Sequence, residues 1–296
     1  MSATPSSITP SVPSPSSFRG RIGCDARSGH YPVPRRYRLH LSPACPHCLR
    51  IAVTHSLLGL QDVLPVVHLP AVPDGPDGGH AALRPLYEAS AHHYAGPAAA
   101  PVLSDDWTGR IVSTYTPDIL RDLALHFGGQ GRGRVVLHPP GTETGAEAVE
   151  RLCETVGEAA QSAGRPGGDA AARETSLGSL IGALGSLEEL LGFRLWVLGD
   201  EPTAADALLW VTLVRLDTVD RWHLDAAAVH RIAVHPRLWA YARRLAGHRA
   251  FGPHLDLDGI ARRHHARCRG LEAAGAAVQI LDWAAHVPGG NPSRPD

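Results

Sequence analysis

Two cysteines, Cys45 and Cys48, fall where a strand-like run, Tyr37 to Leu41, gives way to a helix-like run ending near Gly59. A thiol at a strand-to-helix turn meets free backbone N–H groups and the positive end of a helix dipole. That environment favours the thiolate, which is the nucleophilic form. Cys48 follows three residues later, about one helical turn on, close enough to form a disulfide. Pro46 suits the first helical turn, where its missing N–H costs nothing. His47 can add positive charge or a hydrogen bond. The Cys-Pro-His-Cys stretch therefore points to redox or thiol-transfer chemistry. An inert buried pair and a metal-binding pair are the competing readings. Zinc would want a second cysteine pair, whereas Cys24, Cys153 and Cys268 are isolated in sequence.

The rest of the composition narrows the class. A chain of 296 residues has room for two cores. Its net charge of -1 gives no reason to expect nucleic acid or an anionic membrane as partner. Five cysteines do not make a secreted disulfide scaffold. The segment from Met1 to Phe18 is rich in Ser, Pro and Thr and has no apolar stretch, so it reads as a disordered tail and not as a signal peptide. No apolar run reaches the ~18 residues that a membrane span needs. A cytoplasmic location is the expectation, and there a close cysteine pair is usually catalytic. The 18 histidines are scattered; pairs such as His92-His93 and His264-His265 read as surface, and no metal is expected.

Periodicity divides the chain in two. Tyr37, Leu39 and Leu41 alternate with Arg38 and His40, the pattern of a half-buried strand. Val63 to Leu69 reads as a second strand, at a sheet edge because of Pro65. Ala82 to Ser90 is a short helix. Ala100 to Leu103 and Ile111-Val112 read as a hairpin around Asp105 to Gly109. Thr116-Pro117-Asp118 opens a helix, with Thr116 as the capping hydroxyl. Beyond the Gly/Pro-rich stretch 128–145 everything has helical period. Helices are expected over Ala146 to Ala163, Ala170 to Leu191, Ala207 to Val219, His235 to Ala246 and Leu255 to Val278. Thr203 and Asp206 form a capping-box variant before the most apolar of these. The expected division is a tail over 1–30, an α/β unit over 31–128, a linker over 129–145, an all-helical domain over 146–287 and a second tail over 288–296.

In this order the motifs resemble the glutathione transferases, and within them the Xi class of glutathionyl-hydroquinone reductases. Arg36-Tyr37-Arg38-Leu39 through Cys45-Pro46 and Arg50 is similar to that family's "RYHLYVSLACPWAHR". Pro101 to Asp105 is similar to "PVLWD". Ile111-Val112-Ser113 with Ile119-Leu120-Arg121 is similar to "IVSNESAEIIR". Thr203 to Asp206, Leu209-Trp210, Thr212 to Asp217 and His223 are similar to "TEADIRLWTTLVRFD…H". The resemblance spans roughly Tyr37 to His265. It implies a thioredoxin-like N-terminal domain and an all-α C-terminal domain, with Pro101 in the cis form.

The resemblance also implies a mechanism. Cys45 falls on the cysteine that attacks the sulfur of a glutathionyl-hydroquinone and is left as a mixed disulfide for a second thiol to resolve. Pro101 and Val102 would offer a backbone edge to the thiol. Tyr115 and Thr116 stand where the family grips the γ-glutamyl group with Glu-Ser. Asp220 and His264 stand where the family has pocket tyrosines, and His223 keeps the family histidine. His47-Cys48-Leu49 replace Trp-Ala-His. Cys48 is then either a resolving thiol or a small residue packed on a buried helix face. The implied co-substrate is a low-molecular-weight thiol, glutathione or, given the arginine-only, Ala- and Gly-rich composition of a GC-rich gene, mycothiol. The implied partner molecule is an aromatic or electrophilic substrate, and the implied assembly a homodimer. A thiol S-transferase and a non-catalytic scaffold are the alternatives.

Overall fold

The computed structural model describes residues 18–25, 29–132, 135–268 and 273–286. The N-terminal unit contains β1 (Tyr37–Leu41), α1 (Pro46–Leu57), β2 (Val66–His68), α2 (Arg84–Ser90), β3 (Val102–Asp105), β4 (Arg110–Ser113) and α3 (Thr116–Asp122). The four strands form one mixed sheet in the order β2-β1-β3-β4. β2 runs parallel to β1, and β3 and β4 are antiparallel to their neighbours, with Leu39 opposite both Val66 and Leu103. Tyr37, Leu39 and Leu41 point into the core while Arg38 and His40 are half-buried, as their alternation requires. The second strand is shorter than expected. Pro65 carries no N–H to pair, so only its carbonyl joins the ladder, accepting from Leu39 N at 3.0 Å, and β2 lies at one edge of the sheet.

Two expectations for this unit are corrected. Thr116 is not the cap of α3: the N-cap is Tyr115, whose N–H donates to Ser113 Oγ at 3.1 Å, and Thr116 is the first helical residue. The tail over 1–30 does not hold for its described part; residues 1–17 and 26–28 lie outside the described residues. Gly20 N donates to Val112 O and Thr114 N to Phe18 O, so residues 18–20 lie along β4. Arg19 and Arg21 pair with Asp118 and Asp122 of α3, and Asp122 also accepts from Ile22 N at 2.8 Å. Charge-assisted pairs to two acids one helical turn apart, with Ile22 buried beside them, hold this strap down.

The C-terminal unit contains α4 (Glu143–Ala163), α5 (Ala170–Leu191), α6 (Ala204–Thr218), α7 (Ala226–Ala233), α8 (Pro236–Ala246) and α9 (Leu257–Cys268). α6 is apolar on nearly every face because it is central. Trp210 is fully buried, donates Nε1–H to Ala242 O, and meets the rings of Phe251 and Trp283 edge-on. Its start is fixed by the capping box of Thr203 and Asp206. α1 packs on α6, and one continuous apolar core runs from the sheet into the helices.

Of the expected helix over Leu255 to Val278, Leu257–Cys268 is helical, and residues 269–272 lie outside the described residues. Its last part is not α-helical: Ala274–Ala277 form a 3-10 turn, and Gly275 N donates to Leu224 O at 2.8 Å. A Cβ at Gly275 would meet Leu224 O and Arg221 O at 2.3 and 2.6 Å, so only glycine permits this docking. Further on, Leu281 and Trp283 are buried, and Trp283 Nε1 donates to Asp217 Oδ2 at 2.8 Å. The expected C-terminal tail, 288–296, lies outside the described residues.

Candidate active site

α1 begins where the sheet ends, so its N-terminus opens toward the helical domain. Cys45 is the N-cap, with extended backbone, and its carbonyl accepts the first helical bond from Leu49 N at 2.8 Å. The Cys45 thiol receives the S–H and the N–H of Cys48. Those two bonds, helped by His47 and Arg263, hold it well below an ordinary thiol, at about 5, although burial works the other way. Cys48 is displaced oppositely: burial, and then the neighbouring Cys45 sulfur, push it well above the ordinary thiol range. One cysteine is a thiolate and the other its proton-bearing donor. No disulfide joins them.

Arg263 was not among the residues singled out from sequence. It comes from α9, across the cleft, and donates Nη1–H to Ser42 Oγ at 3.3 Å and to Ala71 O at 3.1 Å. Burial lowers its own pKa, and the two cysteine sulfurs counter that. The guanidinium thus links the helical domain to the loop before Cys45 and places a cation near the thiolate. Its only sequence signal is membership of a basic helix, and Ser42 lies 221 positions away.

Cys45 opens onto a cleft of about 860 Å³ between the two units. His47, Arg263, Asp220, His223 and His264 share its walls. Asp220 is buried; its carboxyl is pushed up by burial and restrained by Arg215, whose Nη2 donates to it at 3.2 Å. His264 lies edge-to-face with Trp222, ring centroids 5.2 Å apart. The other residues expected at the thiol subsite are not on this wall. The Ala100–Pro101 bond is cis, but Ala99 and Ala100 line the cleft, while Val102 is fully buried in a smaller apolar cluster on the other side of β3. Tyr115 is exposed under the Arg19 guanidinium, 3.8 Å from its ring centre, and Thr116 is buried at the start of α3. Cys48 faces a separate hollow of about 210 Å³, lined by His68 and His254 among others.

A thioredoxin-like sheet with its helices, facing an all-helical domain across a cleft, is the glutathione transferase fold. Residues 170–244 match the family described as the C-terminal domain of glutathione S-transferase. A glutathionyl-hydroquinone reductase of Sphingobium chlorophenolicum is 30% identical over 258 residues, covering 82% of this chain and 80% of that protein. Among solved structures, the Xi-class transferase of Natrialba magadii is 25% identical with a TM-score of 0.75, covering 86% of this chain and 82% of that one. A glutathione-bound transferase homologue of Escherichia coli K-12 is 26% identical with a TM-score of 0.71, covering 83% and 87%. The chain belongs to the Xi-class, glutathionyl-hydroquinone reductase family of glutathione transferases. Among the described residues no helix is long and apolar enough to cross a membrane.

Proposed function

We propose that this protein is a thiol-dependent reductase that cleaves a thioether conjugate, of the glutathionyl-hydroquinone kind, through a Cys45 mixed disulfide. The observation that carries this reading is the pairing of a Cys45 thiolate, held near 5, with the Cys48 thiol behind it and an aromatic-sized cleft in front. The Cys45 thiolate attacks the sulfur of the conjugate. A sulfur–sulfur bond forms and the carbon–sulfur bond to the ring breaks. The ring carbon keeps the electron pair and takes a proton, so the organic product is the free hydroquinone. The ring is reduced, and the two sulfurs are oxidised to the disulfide. A second thiol molecule then attacks the sulfur of the bound small thiol, frees the Cys45 thiolate and leaves as a disulfide with it. Alternatively Cys48, after losing its proton, attacks the Cys45 sulfur, releases the small thiol and leaves a Cys45–Cys48 disulfide that two thiol molecules reduce.

The relative with glutathione bound supports a glutathione-type co-substrate. The change of the γ-glutamyl grip to Tyr115 and Thr116 makes mycothiol the alternative to test. Intramolecular resolution by Cys48 predicts that Cys48→Ser stalls during turnover with a one-thiol mass increase on Cys45, while the unsubstituted enzyme accumulates none. Intact-mass analysis in parallel reactions with glutathione and mycothiol conjugates reads both the mechanism and the thiol. A Cys48→Ser variant that turned over normally and held no adduct would make the enzyme monothiol, with Cys48 as packing. Failure of both conjugates would overturn the thioether reading.

A further inference from the structure

On the cleft wall facing Cys45, three side chains converge that the proposed chemistry leaves unused. Cys268 Sγ lies 3.4 Å from His223 Nε2 and 3.4 Å from both ring nitrogens of His264. One donor atom from each residue lies within 4.8 Å of the others, and all three residues line the cleft. His264 and Cys268 are one helical turn apart on α9, and His223 ends the 3-10 turn Asp220–His223. We infer that His223, His264 and Cys268 form a binding site for a zinc-class divalent cation, with its fourth position open to the cleft.

The distances suit a metal as well as a hydrogen bond. Zn–N bonds of about 2.0–2.1 Å and a Zn–S bond of about 2.3 Å at a tetrahedral angle place nitrogen and sulfur about 3.5 Å apart. The observed 3.4 Å sulfur–nitrogen separations match that distance, and the donor atoms of all three residues lie within 4.8 Å of one another. Cys268 Sγ is equidistant from both His264 nitrogens and so lies over the face of that ring; metal binding requires the ring to turn and aim one nitrogen at the shared centre. Two imidazoles and one thiolate are donors that suit zinc, and three protein ligands are the number found at open zinc sites, whereas closed structural sites use four. The surroundings suit the role. Trp222 packs against the His264 ring, and the buried Asp220 carboxylate is close enough to His223 for the two to interact electrostatically. Such outer groups fix the orientation of metal-bound imidazoles. Binding would displace the Cys268 proton and leave a water, or an oxygen of a cleft ligand, on the fourth position.

Cobalt titration of the full-length, reduced, chelator-treated protein tests this. The expected result is one equivalent bound, with a thiolate-to-cobalt charge-transfer band and the intense visible bands of a tetrahedral ion, both displaced by zinc. The bands should persist in the Cys45→Ser/Cys48→Ser double variant. They should disappear in Cys268→Ser, and His223→Ala should weaken cobalt binding by at least about 100-fold. Circular dichroism of each variant guards against misfolding, and the two substitutions sit on different elements. Absence of the charge-transfer band in the unsubstituted protein would overturn the inference. So would a band that survives Cys268→Ser or is lost with Cys45 and Cys48.

Discussion

Cys45→Ser is expected to reduce turnover by at least about 10⁴-fold while leaving the fold intact. Serine is nearly the same shape and can accept the same S–H and N–H from Cys48, so the N-cap geometry of α1 survives. What it lacks is the anion. The helix start, Cys48, His47 and Arg263 together bring a thiol to about 5. A hydroxyl begins many units higher and stays protonated under the same influences. A serine oxygen also cannot form the sulfur–sulfur bond on which the proposed cycle depends. Steady-state rates with a thiol conjugate, beside a thermal melt, separate loss of chemistry from loss of fold. Residual turnover within about tenfold of the unsubstituted enzyme would contradict a Cys45 nucleophile.

The largest structural effect is expected at Asp206. Its Oδ2 accepts from Thr203 N and Thr203 Oγ1, both at 2.7 Å, and its Oδ1 from Val197 N at 2.9 Å and Tyr241 OH at 2.7 Å. Both residues and Tyr241 are buried. Asp206→Ala removes one carboxylate and strands four donors without water, each costing about 1–3 kcal/mol when unpaired. Relaxation and partial re-pairing bring the expected loss to about 3–5 kcal/mol. That is a large share of the stability of an ordinary domain. Because α6 packs on α1, the loss reaches the helix that presents Cys45. Urea unfolding should show a lower midpoint with little change in slope. A loss below about 1 kcal/mol would mean that the carboxylate is not the organiser of this corner.

What was legible in the sequence was local. Tyr37 to Leu41 alternates, Thr203 and Asp206 are three residues apart, and Cys45-Pro46 follows a strand; each motif carries its own geometry. What was not legible depends on partners far along the chain. Arg263 reaches Ser42 across 221 positions, and nothing near Arg263 distinguishes it from the other arginines of α9. His264 and Cys268 are one turn apart, yet the third member, His223, is supplied by another element, so histidine spacing alone did not reveal the cluster. The strap at residues 18–22 was hidden by the Ser/Pro-rich segment before it; its anchors, Asp118 and Asp122, lie about 100 positions away. Thr116-Pro117 has the composition of a cap, but the N-cap position falls to Tyr115, which makes no side-chain capping bond, and the helix starts at Thr116 itself.

The account rests on Cys45 being a thiolate while Cys48 remains a thiol. The most direct test is the rate of iodoacetamide labelling as a function of pH, with the modified peptide identified by mass spectrometry. A depressed thiol keeps its anion as pH falls and loses it only below its own pKa, so labelling should disappear on the acid side alone. The expected profile has its midpoint near 5 and is flat from about one unit above that through neutrality, with the label on Cys45 and Cys48 unlabelled. A midpoint in the ordinary thiol range of about 8.5, or a label on Cys48 ahead of Cys45, would contradict it.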